Sequence, residues 1–195
     1  VSVLYCRDAM DNAATCLRGN TLTLVPYLPH HVRRYHEWMS DPELLALTCS
    51  EPLSLAEEEE NQKSWLESDD KLTFIILRKG ATGDSATDNS GVRYEMLGDC
   101  NAFLSTQDDT EAEVEVSLSE SSYRRLGVAQ EAIRLLMVYV ARNVPRRRRM
   151  IAKILTHNTA SIDLFTNRLG FEHFRDLKVF DESHFRRDLT DDGVV

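Results

Sequence analysis

The sequence predicts an α/β (α+β) domain: a mixed, mostly antiparallel, twisted sheet with helices on both faces and one parallel strand pair. Three observations lead there. Val114, Val116 and Leu118 alternate with Glu113, Glu115 and Ser117, the two-residue period of a half-buried strand. Directly after it Ala129, Ala132, Ile133, Leu136, Met137 and Val140 recur at helical spacing. Met150-Ile-Ala-Lys-Ile-Leu155 then reads as a strand, and a strand–helix–strand crossover makes the two strands parallel.

Taken in order, residues 22–26 form the first strand, 31–39 a helix and 42–49 a second. Residues 55–67 form a third helix, whose acidic run Glu57 to Glu60 is expected to be a solvated first turn favoured by the helix dipole. Residues 72–78 are a strand. From Lys79 to Gly91 the residues Gly, Ser, Thr, Asp and Asn dominate and no period survives, which predicts a mobile hairpin loop. Residues 94–104 and 111–118 continue an antiparallel meander, and the crossover helix runs over 129–143. After the strand at 150–155, residues 156–161 form a loop and N-cap, and Ile162, Leu164, Phe165 and Leu169 are the apolar face of a short helix that Gly170 ends. Residues 171–179 and 184–189 suit a closing hairpin. No internal repeat is visible.

At 195 residues the chain fits one domain with a core of its own. We assign residues 19–190 to it, 1–18 to an N-terminal extension that is disordered or partly non-native, and 191–195 to a C-terminal tail. The first residue is Val1 and a polar stretch follows Met10, so residues 1–9 are expected to precede the native start.

A formal net charge of -9 argues against general nucleic-acid binding and mildly favours a cationic partner. Cys6, Cys16, Cys49 and Cys100 have neither metal-type nor paired spacing, and no basic segment followed by an apolar run opens the chain. The expectation is free thiols in the cytoplasm or nucleus. The apolar runs at 135–141 and 74–77 are too short to span a bilayer. His36 and His157 lack ligand partners at a sensible interval, so no metal site is expected. Arg146 to Arg149, after Pro145, lie at the opposite end of the crossover helix from its N-terminus and read as a solvated loop. A monomer or weak homodimer without nucleic-acid or membrane partners is expected.

The chemistry concentrates where the strand at 111–118 runs into the crossover helix. Ser121, Ser122 and Gly127 mark a turn, so Arg124 to Ala129 straddle a helix N-terminus. Amides there have no intrahelical partner and carry the positive end of the dipole, which makes the turn a phosphate site. Gly127 and the small Ala129 admit close approach of the anion. Hydrogen bonds to charged groups contribute about 1.5 to 3 kcal/mol each, and micromolar binding needs about 8 kcal/mol after association costs. A handful of amides plus Arg124 suffices. The plain alternative is an ordinary surface turn.

The spacing Arg124-x-x-Gly127-x-Ala129, after a strand and opening a helix, resembles the acyl-CoA pyrophosphate loop of the N-acetyltransferase (GNAT) superfamily. Asn158-x-x-Ser161-x-x-Leu164-Phe165, followed by Leu169-Gly170-Phe171, is similar to that family's second block, one helix and one strand downstream. The stretches at 21–27, 36–38, 41–43, 50–53, 98–104 and 179–182 are similar to a branch whose members are named for N-acetylation of tubulin. The resemblance runs from Gly19 to Leu189.

The resemblance implies an acetyl-CoA-dependent N-acetyltransferase that moves the acetyl group directly to a protein or peptide amine. It also implies that the parallel strands splay apart to admit the pantetheine arm, which a bulge in the strand at 113–118 would produce. Cofactor contacts are then expected from Val116, Ser117 and Leu118 on the strand, from Arg124, Arg125, Leu126, Gly127, Val128 and Ala129 in the loop, and from Asn158, Ser161 and Phe165 in the second block. Glu113 and Glu115 are the candidate bases, the amides of 116–118 the oxyanion donors, and Asp99 and Asn101 on the neighbouring strand the candidate acceptor contacts. Ser161 is the catalytic hydroxyl beside the sulfur, or a mere N-cap.

A lysine amine with pKa about 10.4 costs roughly 4 to 5 kcal/mol to deprotonate at neutral pH, and an α-amine near 8 about 1 kcal/mol, so a carboxylate base suits a protein N-terminus. Many members carry a tyrosine acid where Phe165 stands, and one residue more than usual separates Phe165 from Gly170. That leaves open an acyl-CoA-binding module with a sensing or scaffolding role and little turnover. A dinucleotide-binding fold would need its glycine turn after the first strand of a βαβ unit, whereas here it follows a meander.

Overall fold

A computed structural model describes residues 2–3, 12–48, 50–79, 86–87, 93–104 and 108–189. Ten strands form one sheet: β1 (Ser2–Val3), β2 (Leu17–Arg18), β3 (Leu22–Pro26), β4 (Lys71–Lys79), β5 (Ala86–Thr87), β6 (Arg93–Phe103), β7 (Glu111–Leu118), β8 (Arg149–Leu155), β9 (Glu172–Leu177) and β10 (Glu182–Asp188). Their spatial order is β1-β2-β3-β4-β6-β7-β8-β10-β9, with β5 paired to β6. Every pairing is antiparallel except β7–β8. The sheet therefore begins before Gly19, and Leu17, only 1% exposed, belongs to the core. Of the loop expected at 79–91, residues 80–85 and 88–91 lie outside the described residues, as do residues 1, 4–11, Cys49 and the tail at 191–195; Ala86 and Thr87 add a short strand against Tyr94 and Arg93.

Two cores explain why β4 is buried along most of its length. On one face α4 (Val128–Asn143) lays Ala132, Ile133, Leu136, Met137 and Val140 against Leu72, Phe74, Ile76, Ala102, Val114 and Met150. On the other face α1 (Val32–Trp38) and α3 (Leu55–Glu67) cover Ile75 and Leu77 with Val32, Tyr35, Trp38 and Trp65. Strand residues alternate faces, so odd-numbered β4 residues look toward α1 and α3 and even-numbered ones toward α4. α2 (Pro42–Thr48) follows α1. No described helix is long and apolar enough to cross a membrane.

The acidic first turn of α3 is not wholly solvated. Glu57 completes a capping box with Ser54, but Glu58 is 2% exposed and accepts the Tyr27 hydroxyl at 3.1 Å. Glu58, Gln62 and Trp65 share one helical face at spacings of four and three, a periodicity hidden inside the run of four glutamates. The second-block helix also differs from expectation. α5 (Thr159–Asp163) passes into a π-helical turn at Leu164–Arg168, in which the Leu169 amide donates to the Leu164 carbonyl five residues back. A π turn is how a helix absorbs one extra residue, and the spacing between Phe165 and Gly170 carries that residue.

β7 and β8 splay. Their ladder holds only Glu111↔Arg149, Ala112↔Met150 and Glu113↔Ile151. No bulge in β7 causes it, since β7 pairs with β6 without a break from Glu113 to Leu118. The irregularity lies one strand over, at Leu97 in β6, between the pairs Ile76↔Gly98 and Leu77↔Met96. The Leu97 carbonyl takes both the Ser119 and the Glu120 amide and draws the end of β7 toward β6. β8 meanwhile stays paired to β10 over all seven residues from Arg149 to Leu155.

Gly98 permits the β6–β7 approach, because a Cβ there would collide with the Ser117 carbonyl. Gly98→Ala is expected to destabilise the fold by about 1 to 3 kcal/mol, the range for forcing extra volume into packed structure. A urea titration of the variant reads this directly.

Candidate active site

The gap opened by the splay is the floor of a groove of about 690 Å³. Val116, Ser117 and Leu118 form one wall, Asn158, Ser161 and Leu164 the opposite one, and Arg124, Arg125, Gly127, Val128 and Ala129 close the end. The expected loop, strand and second block thus meet around one cavity. Phe165 does not join them: it is 3% exposed and stacks edge-on against Phe171 at 5.0 Å, inside the core. Leu126 is 67% exposed and lies outside the groove lining.

Backbone directions at β7 follow from one contact. The Thr110 carbonyl accepts the Arg148 and Arg149 amides from the β8 side. Backbone groups alternate sides along a strand, so Val114, Val116 and Leu118 also turn their N–H and C=O toward β8, while Ser117 turns toward Asp99 of β6. Beyond Glu113 no β8 ladder receives them, and the amides of Val116 and Leu118 face the gap. Arg124 Nε reaches the Leu118 carbonyl at 3.3 Å and ties the loop to this edge.

The groove end is built for an anion. α4 starts after Gly127, whose φ of 83° is left-handed, with no side chain capping the first turn. Arg125 is left-handed as well, at φ 64°. Successive amides in such a loop point into a common concavity, and the dipole adds positive potential. Arg124, Arg125 and Arg168 surround it, in a chain whose overall charge is negative.

Residues beyond those expected also contribute. Leu44, Leu47 and Thr48 of α2 line the groove. The α1–α2 segment is held there by Glu120, which accepts from Trp38 Nε1 at 2.9 Å and Arg34 Nη2 at 2.5 Å. Gln130 Nε2 bonds the Arg168 carbonyl at 3.3 Å, joining α4 to the π turn. Nothing in the local pattern of 42–48 signals a groove wall; only its packing puts it there.

Beside the gap, on the face shared with α1 and α3, stand the carboxylates. Glu113 is paired with Lys153 of β8 at 2.5 Å. Glu115, directly across from Asn101, has no ion pair among the described residues. Glu115 is exposed to water at its tip, yet protein crowds most of its surroundings. Burial, reinforced by Glu113 and Asp99, lifts its pKa to about 7. Asp99 is 4% exposed and receives Asn101 Nδ2 at 2.8 Å; burial pushes its pKa up to about 6. Among the described residues no donor reaches the buried Oδ1 of Asn101. A polar acceptor and two raised carboxylates on one face of the sheet suit an N–H-bearing cation. Among the described residues no group of three or more metal-ligating side chains is clustered.

Comparison with known proteins agrees with this architecture. The family described as Acetyltransferase (GNAT) domain matches residues 21–172. The N-acetyltransferase 9-like protein of Nematostella vectensis is 41% identical over 172 residues, 88% of this chain and 84% of that protein. The Alpha/beta-tubulin-N-acetyltransferase 9 of Homo sapiens is 39% identical over 184 residues, 92% of this chain and 86% of its own. Among solved structures, a ribosomal L7/L12 alpha-N-protein acetyltransferase in complex with Coenzyme A superposes with a TM-score of 0.68 at 17% identity, covering 89% of this chain and 97% of that one, which is a likeness of fold.

Two tests follow. Gly127→Glu meets open space, since nothing lies within 4 Å of a Cβ at that position, so the fold should lose only about 1 to 2 kcal/mol from the left-handed backbone. It puts a carboxylate at the groove end where a diphosphate would dock, and the thermal stabilisation by acetyl-CoA, about 2.7 kcal/mol at a hundredfold excess over Kd, should vanish. Glu115→Gln should retain it; an unchanged acetyl-CoA shift in Gly127→Glu overturns the diphosphate assignment.

For Asp99 the sign runs against stability. Its folded pKa of about 6 lies above the unfolded value of about 3.9, so the folded chain holds a proton that the unfolded chain has lost, and stability falls as pH rises from about 4 to 6. Asp99→Asn should gain up to about 3 kcal/mol over wild type above pH 6 and little at pH 4. Denaturant midpoints at the two pH values measure the difference.

Proposed function

The chain belongs to the GNAT acetyltransferase family and is an N-acetyltransferase that uses acetyl-CoA, and from that premise we propose that its acceptor is the α-amine of a protein N-terminus and its base is Glu115. The observation that carries the proposal is the contrast between the two strand carboxylates. Glu113 is neutralised by Lys153, whereas Glu115 has no ion pair among the described residues, is crowded and is raised to about 7.

In this reading the diphosphate of acetyl-CoA is held by the first-turn amides of α4 with Arg124 and Arg125, and the pantetheine arm runs along the free edge of β7. Acetyl-CoA supplies an activated thioester carbonyl. The acceptor ammonium enters beside Asp99 and Asn101, where Oδ1 of Asn101 can take an N–H. Glu115 removes the proton, directly or through one water, and the neutral amine attacks. The Val116 amide is the donor available to the developing oxyanion. Ser161, half-buried on the opposite wall, is the hydroxyl we assign to the departing thiolate.

The magnitude selects the acceptor. A base near 7 meets an α-amine at 7.7 to 8.0 with a deficit of about 1 kcal/mol, and a lysine amine at about 10.4 with a deficit of about 4 to 5 kcal/mol. The human relative is an Alpha/beta-tubulin-N-acetyltransferase, which makes a tubulin N-terminus the first acceptor to try. Phe165, withdrawn into the core, supports the second reading, a binding module with little turnover, because no tyrosine acid stands in its place.

The test is acetylation of α-free and α-blocked tubulin N-terminal peptides across pH. The α-free peptide should be acetylated and the blocked one spared, with the rate falling below pH about 7 as Glu115 takes up its proton. Glu115→Gln should lose that limb and about a hundredfold or more in kcat. A full rate in Glu115→Gln removes it as the base, and no product on any peptide while acetyl-CoA still stabilises the chain favours the binding module.

A further inference from the structure

Tyr35 stands in the middle of α1 and is only 6% exposed. Three rings fix its own, with centroids at 4.9 Å for Tyr27, 6.2 Å for Trp38 and 6.3 Å for Trp65. The neighbouring Tyr27 donates its hydroxyl to Glu58 at 3.1 Å. The Tyr35 hydroxyl has no hydrogen-bond partner among the described residues. A buried hydroxyl left unpaired is costly, and phenylalanine would pack the same ring without that cost.

The hydroxyl lies where the acidic face of the sheet meets the groove. Tyr35 packs in one apolar cluster with Ile75 and Leu44, and Leu44 is also part of the groove wall. Ile75 pairs with Asp99 and Asp99 with Ser117, so a single register row leads from that cluster to the groove edge of β7. Glu115 and Asn101 occupy the next row on the same face. Burial pushes the Tyr35 pKa well up, and Asp99, Glu58, Tyr27 and Glu115 reinforce the rise. The hydroxyl therefore stays neutral, keeps its lone pairs, and lies within electrostatic reach of three carboxylates.

We propose that Tyr35 is a binding residue for the acceptor, its hydroxyl oxygen accepting one N–H of the incoming α-ammonium beside Asp99. The inference rests on the reading that an N-terminal α-amine is the acceptor and enters on this face. An α-ammonium carries three N–H groups: one meets Tyr35, one meets Asp99, and the third points to Glu115, which removes it. The acetylated product has no charge and a single N–H, so the same groups hold it weakly and it leaves. A rigid ring suits this task, because the hydroxyl is already in place and no side chain has to be ordered on binding.

The experiment is isothermal titration of the CoA-loaded chain with the α-free and α-blocked tubulin N-terminal peptides, in which no reaction occurs. Wild type should bind the α-free peptide at least tenfold more tightly than the blocked one. Tyr35→Phe should weaken the α-free peptide about tenfold or more, as loss of a hydrogen bond to a charged group requires, and leave the blocked peptide unchanged. Its melting temperature without ligand should equal or exceed that of wild type, and its acetyl-CoA thermal shift should persist. A purely structural tyrosine gives the opposite pattern, a lower melting temperature with both peptides weakened. That pattern, or wild-type affinity of Tyr35→Phe for the α-free peptide, overturns the ammonium contact and leaves the proposed function standing. A wild-type chain that does not distinguish the two peptides overturns both.

Discussion

The structure depends on two neighbouring strands being unable to stay together. β7 and β8 begin as a parallel pair, but each is committed elsewhere: β7 to β6 through the two amides that converge on the Leu97 carbonyl, and β8 to β10 over its whole length. Backbone groups that a sheet would ordinarily satisfy are left on the inner edge of β7, and an unpaired amide in a partly buried gap is costly unless a ligand meets it. The parting of the strands therefore creates both an elongated gap and unpaired backbone donors along one of its edges.

Everything around the gap is arranged by charge. The loop into α4 and the π turn gather three arginines and uncapped amides at one end, while carboxylates from β6 and β7 gather on the α1–α3 face. An anion and a cation are thus received from different directions. The carboxylates are not equivalent, because Lys153 reaches Glu113 and, among the described residues, no cation pairs with Glu115. Burying Asp99 and crowding Glu115 works against stability, the kind of arrangement a fold tolerates where the groups have work to do.

The second block shows how an irregular helix serves the same site. Asn158 accepts the Ser161 amide at 3.1 Å and starts α5, and the π turn after it lets Leu164 face the groove while Phe165 and Leu169 go into the core. One extra residue changes which side chain looks into the groove. Phe165 is a core residue for this reason, and the groove wall beside it is formed by Ser161 and Leu164.

Much of the fold and half of the site were legible in order along the chain. Strand alternation at 113–118, the helical period from Ala129 and the arginine–glycine spacing before it are local patterns, set by the two-residue and 3.6-residue repeats and by the steric freedom of Gly127. The parallel pair followed from the crossover helix alone. What stayed hidden were relations between residues far apart in sequence: the bulge at Leu97 that parts the strands, Lys153 choosing Glu113 over Glu115, Glu58 turning inward to Tyr27, and Lys71 lying on Trp65 and Phe103. Composition and periodicity specify which face of an element is buried, but not what is buried against it. A carboxylate's proton affinity depends on those neighbours, so the sequence determined which strand carries the carboxylates, and only tertiary packing decided which of them is ion-paired.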